Sequence, residues 1–457
     1  MSVIPVILAA GQGTRMKSAL PKVLHPLCGR PMIFYALDAA AAVTDAKPVV
    51  IIGHGAEQVR ERVGERGRFA LQHPPLGTAH AVLQAESLIR GEAEYVLVTY
   101  ADMPLLRPET LQALVERQKQ NPGPLTLLTV ISPQPRGFGR ILRDAQGRVQ
   151  AIIEEAVATP EQLRIQELNV GAYCFRAEWL WDALRRVPLS PKGEYFLTDT
   201  VELAVRDGLQ VETVLLEDME ETIGINTRVH LAEAERAMRR RINARHMLNG
   251  VTLIDPETTY IEPEVTIGRD TVIWPNTFLQ GQTQIGEACE IGPNTWVRDT
   301  QIGARCHIRM SVLEGAIVED EVEIGPFARL RKGAHLARGV HMGNFGEVKD
   351  SYLGPGVKMG HFSYIGNATI GANTNIGAGT ITCNYDGEKK HPTWIGEEVF
   401  IGSDTMLVAP VRLGDRARTG AGSVVTKDVP EDTLVVGVPA RAIRKLSPKR
   451  KSDDSDS

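Results

Sequence analysis

A chain of 457 residues is too long for one compact core and implies two or three domains. With 43% hydrophobic and 23% charged residues and a net charge of -5, it reads as a soluble, cytoplasmic protein that is no general nucleic-acid binder, and no stretch is long enough to span a membrane. The five cysteines (Cys28, Cys174, Cys289, Cys306 and Cys383) form no C-x-x-C pair, which argues against a zinc site or a disulfide framework and fits a reducing cytosol.

Residues 3–10 are apolar enough to mimic a signal peptide. They lack a basic leading segment and run into Gly11 and Gly13, so they read as a buried parallel strand. A glycine-rich turn follows, Gly11-Gln-Gly13-Thr14-Arg15-Met16, then Pro21-Lys22 and an apolar helical stretch at 32–42. Further strands are expected at 49–53 and 95–100, the latter ending at Ala101-Asp102. This alternation predicts a doubly wound α/β domain, in which ligands bind at the carboxyl ends of the strands; the Gly11 turn and Asp102 both fall there. The turn lacks the third glycine of the dinucleotide fingerprint and the Gly-Lys-Ser/Thr of a Walker loop, and by itself it reads equally as a tight turn. Its backbone N–H groups beside Arg15 and Lys22 suit an anion. Asp102 suits Mg²⁺ on a nucleotide, and equally a helix cap. Residues 227–249 read as one long helix, with Leu231, Ala234, Met238 and Ile242 at helical spacing and Gly250 placed to end it. Its basic run at 239–241 reads as a solvated face.

From 261 to 425 an aliphatic residue recurs every six positions, often followed by Gly: Ile261, Ile267, Ile273, Leu279, Ile285, Ile291 and Val297 open the series. Ile324, Leu330, Leu336, Met342 and Val348 form a second unbroken run. A period of six suits neither a helix nor a hairpin array. It predicts a hexapeptide β-helix with about 18 residues per triangular coil and about nine coils, the Gly sitting at a tight corner. Arg331 and Lys349 are 18 residues apart, so they stack on one face and make a small anion site credible. His361 and Tyr364 follow in Gly-His-Phe-Ser-Tyr-Ile-Gly, although a lone His is more often structural. Residues 383–393 break the hexad phase and must protrude as a loop, carrying Asn384 and Tyr385.

Two resemblances join these pieces. The run 8–16 with Pro21-Lys22 is similar to the signature of the sugar-nucleotide pyrophosphorylases, nucleotidyltransferases of a GT-A/Rossmann-like α/β fold. The hexads resemble the left-handed parallel β-helix acyltransferases; the left hand comes from that resemblance alone, since the general crossover rule gives the opposite hand. Over residues 2–440 the chain resembles the family of bifunctional N-acetylglucosamine-1-phosphate uridyltransferase / glucosamine-1-phosphate N-acetyltransferases.

The resemblance implies a uridylyltransferase domain at 1–226, a linker helix at 227–250 and an acetyltransferase β-helix at 251–446. The charged, apolar-poor tail 447–457 is expected to be disordered. Leu8, Ala9, Ala10 and Gly11 would line the nucleotide, with Arg15 on the triphosphate, Lys22 near the α-phosphate, and Gln72, Gly77 and Thr78 reading uracil. Tyr100-Ala101-Asp102 matches the family's Tyr-Gly-Asp except for Ala101, whose methyl would enter where backbone lies close to sugar or ribose. Gly139, Glu154 and Asn169 would hold N-acetylglucosamine, and Asp102 with Asn226 would hold Mg²⁺. Residues 193–199 fit the family pattern as structure beside the sugar pocket. In the β-helix, Arg331, Lys349, Tyr364, Asn375, Asn384 and Tyr385 would bind glucosamine 1-phosphate, and His361 would be the general base. Ala378, Ser403 and Ala421 would contact acetyl-CoA. Val438 stands where the family often has a basic residue, which leaves Arg441 or Arg444 as a substitute. A homotrimer through the β-helix is implied. The implied function is acetyl transfer from acetyl-CoA to glucosamine 1-phosphate, then uridylyl transfer from UTP with release of pyrophosphate, giving a bacterial cell-wall precursor. The alternatives are a single-activity nucleotidyltransferase whose β-helix only oligomerises or regulates, and a non-catalytic subunit; the presence of Lys22, Asp102 and the His361 region argues against both.

Overall fold

The strand Val3–Leu8 is buried along its whole length and pairs in parallel with Val49–Ile52 on one side and Tyr95–Tyr100 on the other. The computed structural model describes residues 2–446, in two compact units divided between Met238 and Arg239; the expectation for the tail falls outside the described residues. Alternation along the central strands sends side chains to two cores. Ile4, Val6 and Leu8 join Ala79, Val82, Leu180 and Val201 on one face of the sheet, while Val3, Tyr95 and Leu97 join Ala39, Leu111 and Leu114 on the other. Helices therefore cover both faces, as a doubly wound sheet requires.

The seven main strands run in the order Val211–Leu215, Leu125–Ile131, Glu167–Arg176, Tyr95–Tyr100, Val3–Leu8, Val49–Ile52, Arg68–Leu71, and only Glu167–Arg176 is antiparallel to its neighbours. From Val3–Leu8 the chain first builds outward through Val49–Ile52 and Arg68–Leu71, then returns to the other side at Tyr95–Tyr100. Strand order reverses there, and a crevice opens beyond the paired ends Leu8 and Tyr100.

The helix Arg228–Leu248 contains the division between the units. Its first half is tied into the first unit, where the Glu235 carboxylate accepts from the Cys28 N–H at 2.8 Å. Its second half is tied into the second unit, where Asn243 Nδ2 donates to Pro256 O at 2.8 Å and to Thr259 O at 3.1 Å. Gly250, at φ +91°, follows the helix. Among the described residues no helix is long and apolar enough to cross a membrane.

Among the described residues the second unit is a coil of three sheets with twelve, ten and nine strands, parallel throughout except for the closing hairpin of Thr433–Gly437 and Ala440–Lys445. Strands of two to four residues stack in register one coil apart. Ile273, Ile291, Ile308, Ile324 and Met342 form one buried ladder, and Leu279, Val297, Leu313, Leu330 and Val348 form the next. Each aliphatic rung is worth roughly 1.5–3 kcal/mol of burial, available only when neighbouring coils cover it. Gly292 and Gly325, at φ +104° and +102°, take the expected corner, but most glycines after the aliphatic residue serve a different purpose. Gly268 and Gly286 have ordinary φ, but a Cβ on either would lie 2.6 Å from the backbone of the next coil. The left-handed corner falls two residues later, at Asp270, Ala288, Asn294, Arg305 and their counterparts. Buried hydroxyls close the corners: Thr277, Thr283, Thr380 and Thr405 each donate to the carbonyl three residues back.

His246 is buried near the start of this unit, and its Nε2 has no partner among the described residues. Burial, reinforced by the adjacent Arg245, lowers its pKa to about 4. The depressed folded value makes protonation oppose folding, so its contribution is full above the unfolded value of about 6.5 and is lost as pH falls toward about 4. Equilibrium unfolding at pH 7.5 and pH 5 should show a loss of about 2 kcal/mol at the lower pH that His246→Phe removes.

Candidate active sites

A cleft of about 470 Å³ lies at the crevice and is lined by Leu8, Ala9, Ala10, Gly11, Lys22, Gln72, Gly77, Thr78, Tyr100 and Asp102, all expected there, by Glu194 from the stretch expected beside the sugar pocket, and by Gln12, which sequence reasoning missed. Local backbone geometry explains the glycines. Gly13 sits at φ +61°, and a Cβ there would be 2.7 Å from Lys22 Cβ, so the turn must be bare for Lys22 to pass. Gln72 Nε2 donates to Gly77 O at 2.8 Å, which holds its amide oriented at the cleft wall. Burial lowers the pKa of the neighbouring His80.

The Lys22 ammonium forms an ion pair with Asp102 and donates to Asn226 Oδ1 at 3.1 Å. The Ile225 N–H donates to Asp102 O at 2.9 Å and keeps the two segments together. A carboxylate and an amide oxygen thus converge on one cation. Two hard oxygen donors in reach of a phosphate-sized cleft fit Mg²⁺, which takes few protein ligands and completes its shell with phosphate and water.

Two expected residues sit differently. Ala101 is fully buried, and its N–H donates to Leu8 O at 3.0 Å. Its methyl is therefore in the interior and not in the ligand's space, which corrects the expectation drawn from the Gly-to-Ala departure. Arg15 lies exposed on the turn Thr14–Met16, outside the cleft lining.

Gly139, Glu154 and Asn169 form a group beside Tyr100. The Asn169 N–H donates to Gly139 O at 2.9 Å, and Asn169 Nδ2 donates to the Tyr173 hydroxyl at 2.7 Å. Glu154 Oε1 accepts from the Thr198 hydroxyl at 3.0 Å. Burial, then the Asp102 and Glu154 charges, raise the Tyr100 pKa. Asp199 is pushed up to about 6 by burial and by Glu202 and Glu154.

In the β-helix the expected residues other than Asn375 fall at two corners of the face formed by the ten-stranded sheet. Arg331 follows the strand Arg329–Leu330 and Lys349 ends the next strand of the same sheet, Gly346–Lys349, so the pairings Arg329↔Glu347 and Leu330↔Val348 set them one coil apart. The Tyr364 hydroxyl and Asn384 Nδ2 both lean over Gly366, where a Cβ would lie 2.4 Å and 2.8 Å from them. The out-of-phase loop emerges beside this corner. It is pinned by Asp386, whose carboxylate accepts from the Lys389 N–H at 2.7 Å, the Glu388 N–H at 2.8 Å and His391 Nε2 at 2.6 Å. These contacts, the Lys389 N–H foremost, hold the Asp386 carboxyl well below the usual range. An antiparallel bridge Tyr385↔Lys390 brings Lys390 back onto the site. The Lys349 ammonium beside it, with Arg331 behind, lowers the Lys390 pKa. Three cations thus gather at one corner. Lys390 was missed because it lies outside the hexad register, and its only signal was its place in the protruding loop.

His361 stands exposed at the opposite corner, before the strand Ser363–Gly366. The pairings Lys358↔Asn375 and Tyr364↔Ile381 put Ala378 opposite it. Ser403 and Ala421 continue that column, with the Asp404 N–H donating to Ala378 O at 2.6 Å and the Gly422 N–H to Ser403 O at 2.8 Å. Asn375 belongs to the adjoining face, formed by the twelve-stranded sheet. Arg444 pairs with Leu434 and Arg441 with Val436 on the closing antiparallel hairpin, and Leu434 continues the register from Arg418. Both arginines are exposed near the upper end of the Ala378–Ser403–Ala421 column.

Residues 5–164 match the model of the MobA-like NTP transferase domain, and 264–299 and 392–427 match bacterial transferase hexapeptide repeats. The bifunctional protein GlmU of Geobacillus sp. (strain WCH70) is 46% identical over 432 residues, covering 94% of each chain. That of Heliobacterium modesticaldum is 48% identical over 432 residues, again with 94% of each chain, and that of Listeria monocytogenes serotype 4b is 45% identical over 430 residues at the same coverage. The chain belongs to the GlmU family. It is a bifunctional transferase, with uridyltransferase activity in the NTP transferase domain and acetyltransferase activity in the hexapeptide domain. The three parallel sheets and the hexapeptide match are those of a left-handed β-helix, the hand opposite to the general crossover rule. The GlmU relatives span both domains in one chain, so neither the single-activity alternative nor the non-catalytic one describes this family.

Proposed function

We propose that each activity is carried by the residue set found at its site, with 1–226 as the uridylyl domain, 227–250 as the connecting helix and 251–446 as the acetyl domain. The convergence of Lys22, Asp102 and Asn226 at the strand ends carries the first assignment. UTP lies over the turn from Leu8 to Gly11, with its base against Gln72, Gly77 and Thr78, and Ala101 supporting the floor from beneath. N-acetylglucosamine 1-phosphate lies against Gly139, Glu154 and Asn169. A phosphate oxygen of the sugar attacks the α-phosphorus, and the bond to the bridging oxygen of pyrophosphate breaks. The nucleophile is already an anion, so no general base is required. The work is positioning and neutralisation by Lys22, with Arg15 reaching the triphosphate from its exposed turn. Mg²⁺, held by Asp102 and Asn226, supplies charge neutralisation and orientation of the phosphates. Chelation with EDTA should stop pyrophosphate release from UTP and N-acetylglucosamine 1-phosphate, excess Mg²⁺ should restore it, and acetyl transfer should be indifferent. Uridylyl transfer that persists in EDTA would refute the metal assignment.

In the β-helix, the phosphate of glucosamine 1-phosphate sits among Arg331, Lys349 and Lys390, and its sugar lies against Tyr364, Asn384 and Tyr385. Acetyl-CoA runs along Ala378, Ser403 and Ala421, with its phosphates toward Arg441 or Arg444. The sugar amine attacks the thioester carbonyl, His361 takes the amine proton, and the C–S bond breaks to release the thiol. Within one chain the cation corner and the cofactor column are separated along a face, since His361 and Tyr364 are three residues apart on extended backbone, about 10 Å. A homotrimer brings corners of neighbouring copies together and recruits Asn375 from the adjoining face. The exposed, stacked Phe327 and Phe345, with exposed Phe362 beside His361, give that corner an apolar ridge suited to a second copy. The protein acts in the cytoplasm, where both co-substrates are found. Lys390→Ala should raise KM for glucosamine 1-phosphate about tenfold with KM for acetyl-CoA near the parent value, as steady-state thiol release would show.

A further inference from the structure

The segment 194–198, expected only as structure beside the sugar pocket, is bonded to both halves of the uridylyl site. The Tyr195 N–H donates to Leu76 O at 2.8 Å, and Tyr195 O accepts from the Ala79 N–H at 2.9 Å. The Leu197 N–H donates to Thr78 Oγ1 at 2.9 Å. These bonds fasten the segment to the loop that reads the base. Gly77 permits the close approach, because a Cβ there would lie 2.5 Å from Tyr195 O. The next residue, Thr198, is buried and sends its hydroxyl to Glu154 Oε1 at 3.0 Å.

Glu154 needs such a restraint. It follows the end of the strand Val149–Ile153 and faces other acidic groups: it raises the pKa values of Tyr100, Tyr173 and Asp199. Left free, a carboxylate among like charges and phenols would swing toward solvent. A hydroxyl donor on one oxygen fixes the side chain and leaves the second oxygen for a sugar hydroxyl.

We infer that Thr198 is the positioning residue for Glu154, and that residues 194–198 form a strap linking recognition of the base to recognition of the sugar. The inference rests on the reading of Glu154 as a sugar-binding carboxylate.

Steady-state uridylyl kinetics on the full chain test it with Thr198→Val, Thr198→Ser, Glu154→Gln and the Thr198→Val/Glu154→Gln double variant. Thr198→Val should raise KM for N-acetylglucosamine 1-phosphate about tenfold, the effect of losing one hydrogen bond to a charged group, with kcat, KM for UTP and acetyl transfer near the parent values. Thr198→Ser should restore the parent KM. The double variant should be no worse than Glu154→Gln alone, because the two residues act through one contact. A normal sugar-phosphate KM in Thr198→Val alongside a raised one in Glu154→Gln would overturn the positioning role and keep the sugar site. Equal increases in both substrate KM values, or no rescue by Ser, would make Thr198 a structural residue and overturn it as well. A parent KM in Glu154→Gln would remove the sugar reading and the inference together.

Discussion

His361→Ala is expected to lower acetyl transfer to glucosamine 1-phosphate by about 10²–10⁴-fold and to leave uridylyl transfer at the parent rate. The size follows from the chemistry. An ammonium cannot attack a thioester, so the proton must leave as the C–N bond forms, and an imidazole ring nitrogen can accept it. The selectivity follows from placement, since His361 lies in the second unit, on the corner facing the Ala378 column, whereas the nucleotide cleft is built wholly from the first. KM for acetyl-CoA should change little, because the proposed arrangement gives the cofactor to the Ala378 column and not to the imidazole. Thiol release and pyrophosphate release measured on one preparation check both halves.

Asp102→Asn should reduce uridylyl transfer on the order of 10³-fold and spare acetyl transfer. The substitution keeps the side chain's shape and an oxygen for Lys22, so the fold is preserved. It removes the negative charge that pairs with the Lys22 ammonium and that would hold Mg²⁺ with Asn226. The half-saturating Mg²⁺ concentration should therefore rise as kcat falls. An unchanged Mg²⁺ dependence would show that Asp102 orients Lys22 and does not hold the metal.

The parts legible in the sequence were those with a period or a dense motif. One aliphatic side chain per six residues reports burial directly, so the ladder through Ile273, Ile291 and Ile308 could be read without coordinates. The role of the following glycine could not. Period alone does not separate a left-handed corner from a backbone that must make room for the next coil, and Gly268 and Gly286 prove to be the latter. The first strand and its turn were visible because apolar residues run straight into Gly11 and Gly13. The antiparallel strand Glu167–Arg176 was not anticipated, since strand direction depends on distant partners. Lys390 escaped for a related reason, since its neighbour Lys349 is far from it in sequence, and the stretch 193–199 was placed beside the sugar pocket without the long-range contact of Thr198 with Glu154. Ala101 shows the converse, a motif departure that was visible in sequence but whose methyl direction only the packing decides.

One chain thus performs two separate transfers, one in each of its two units. The most direct measurement follows free thiol on incubating the purified protein with acetyl-CoA and glucosamine 1-phosphate without UTP, then pyrophosphate on adding UTP and Mg²⁺. Thiol release that requires His361, followed by pyrophosphate release that requires Asp102, is the predicted result. Pyrophosphate release from N-acetylglucosamine 1-phosphate with no thiol release in the first stage would contradict it and leave the β-helix a scaffold.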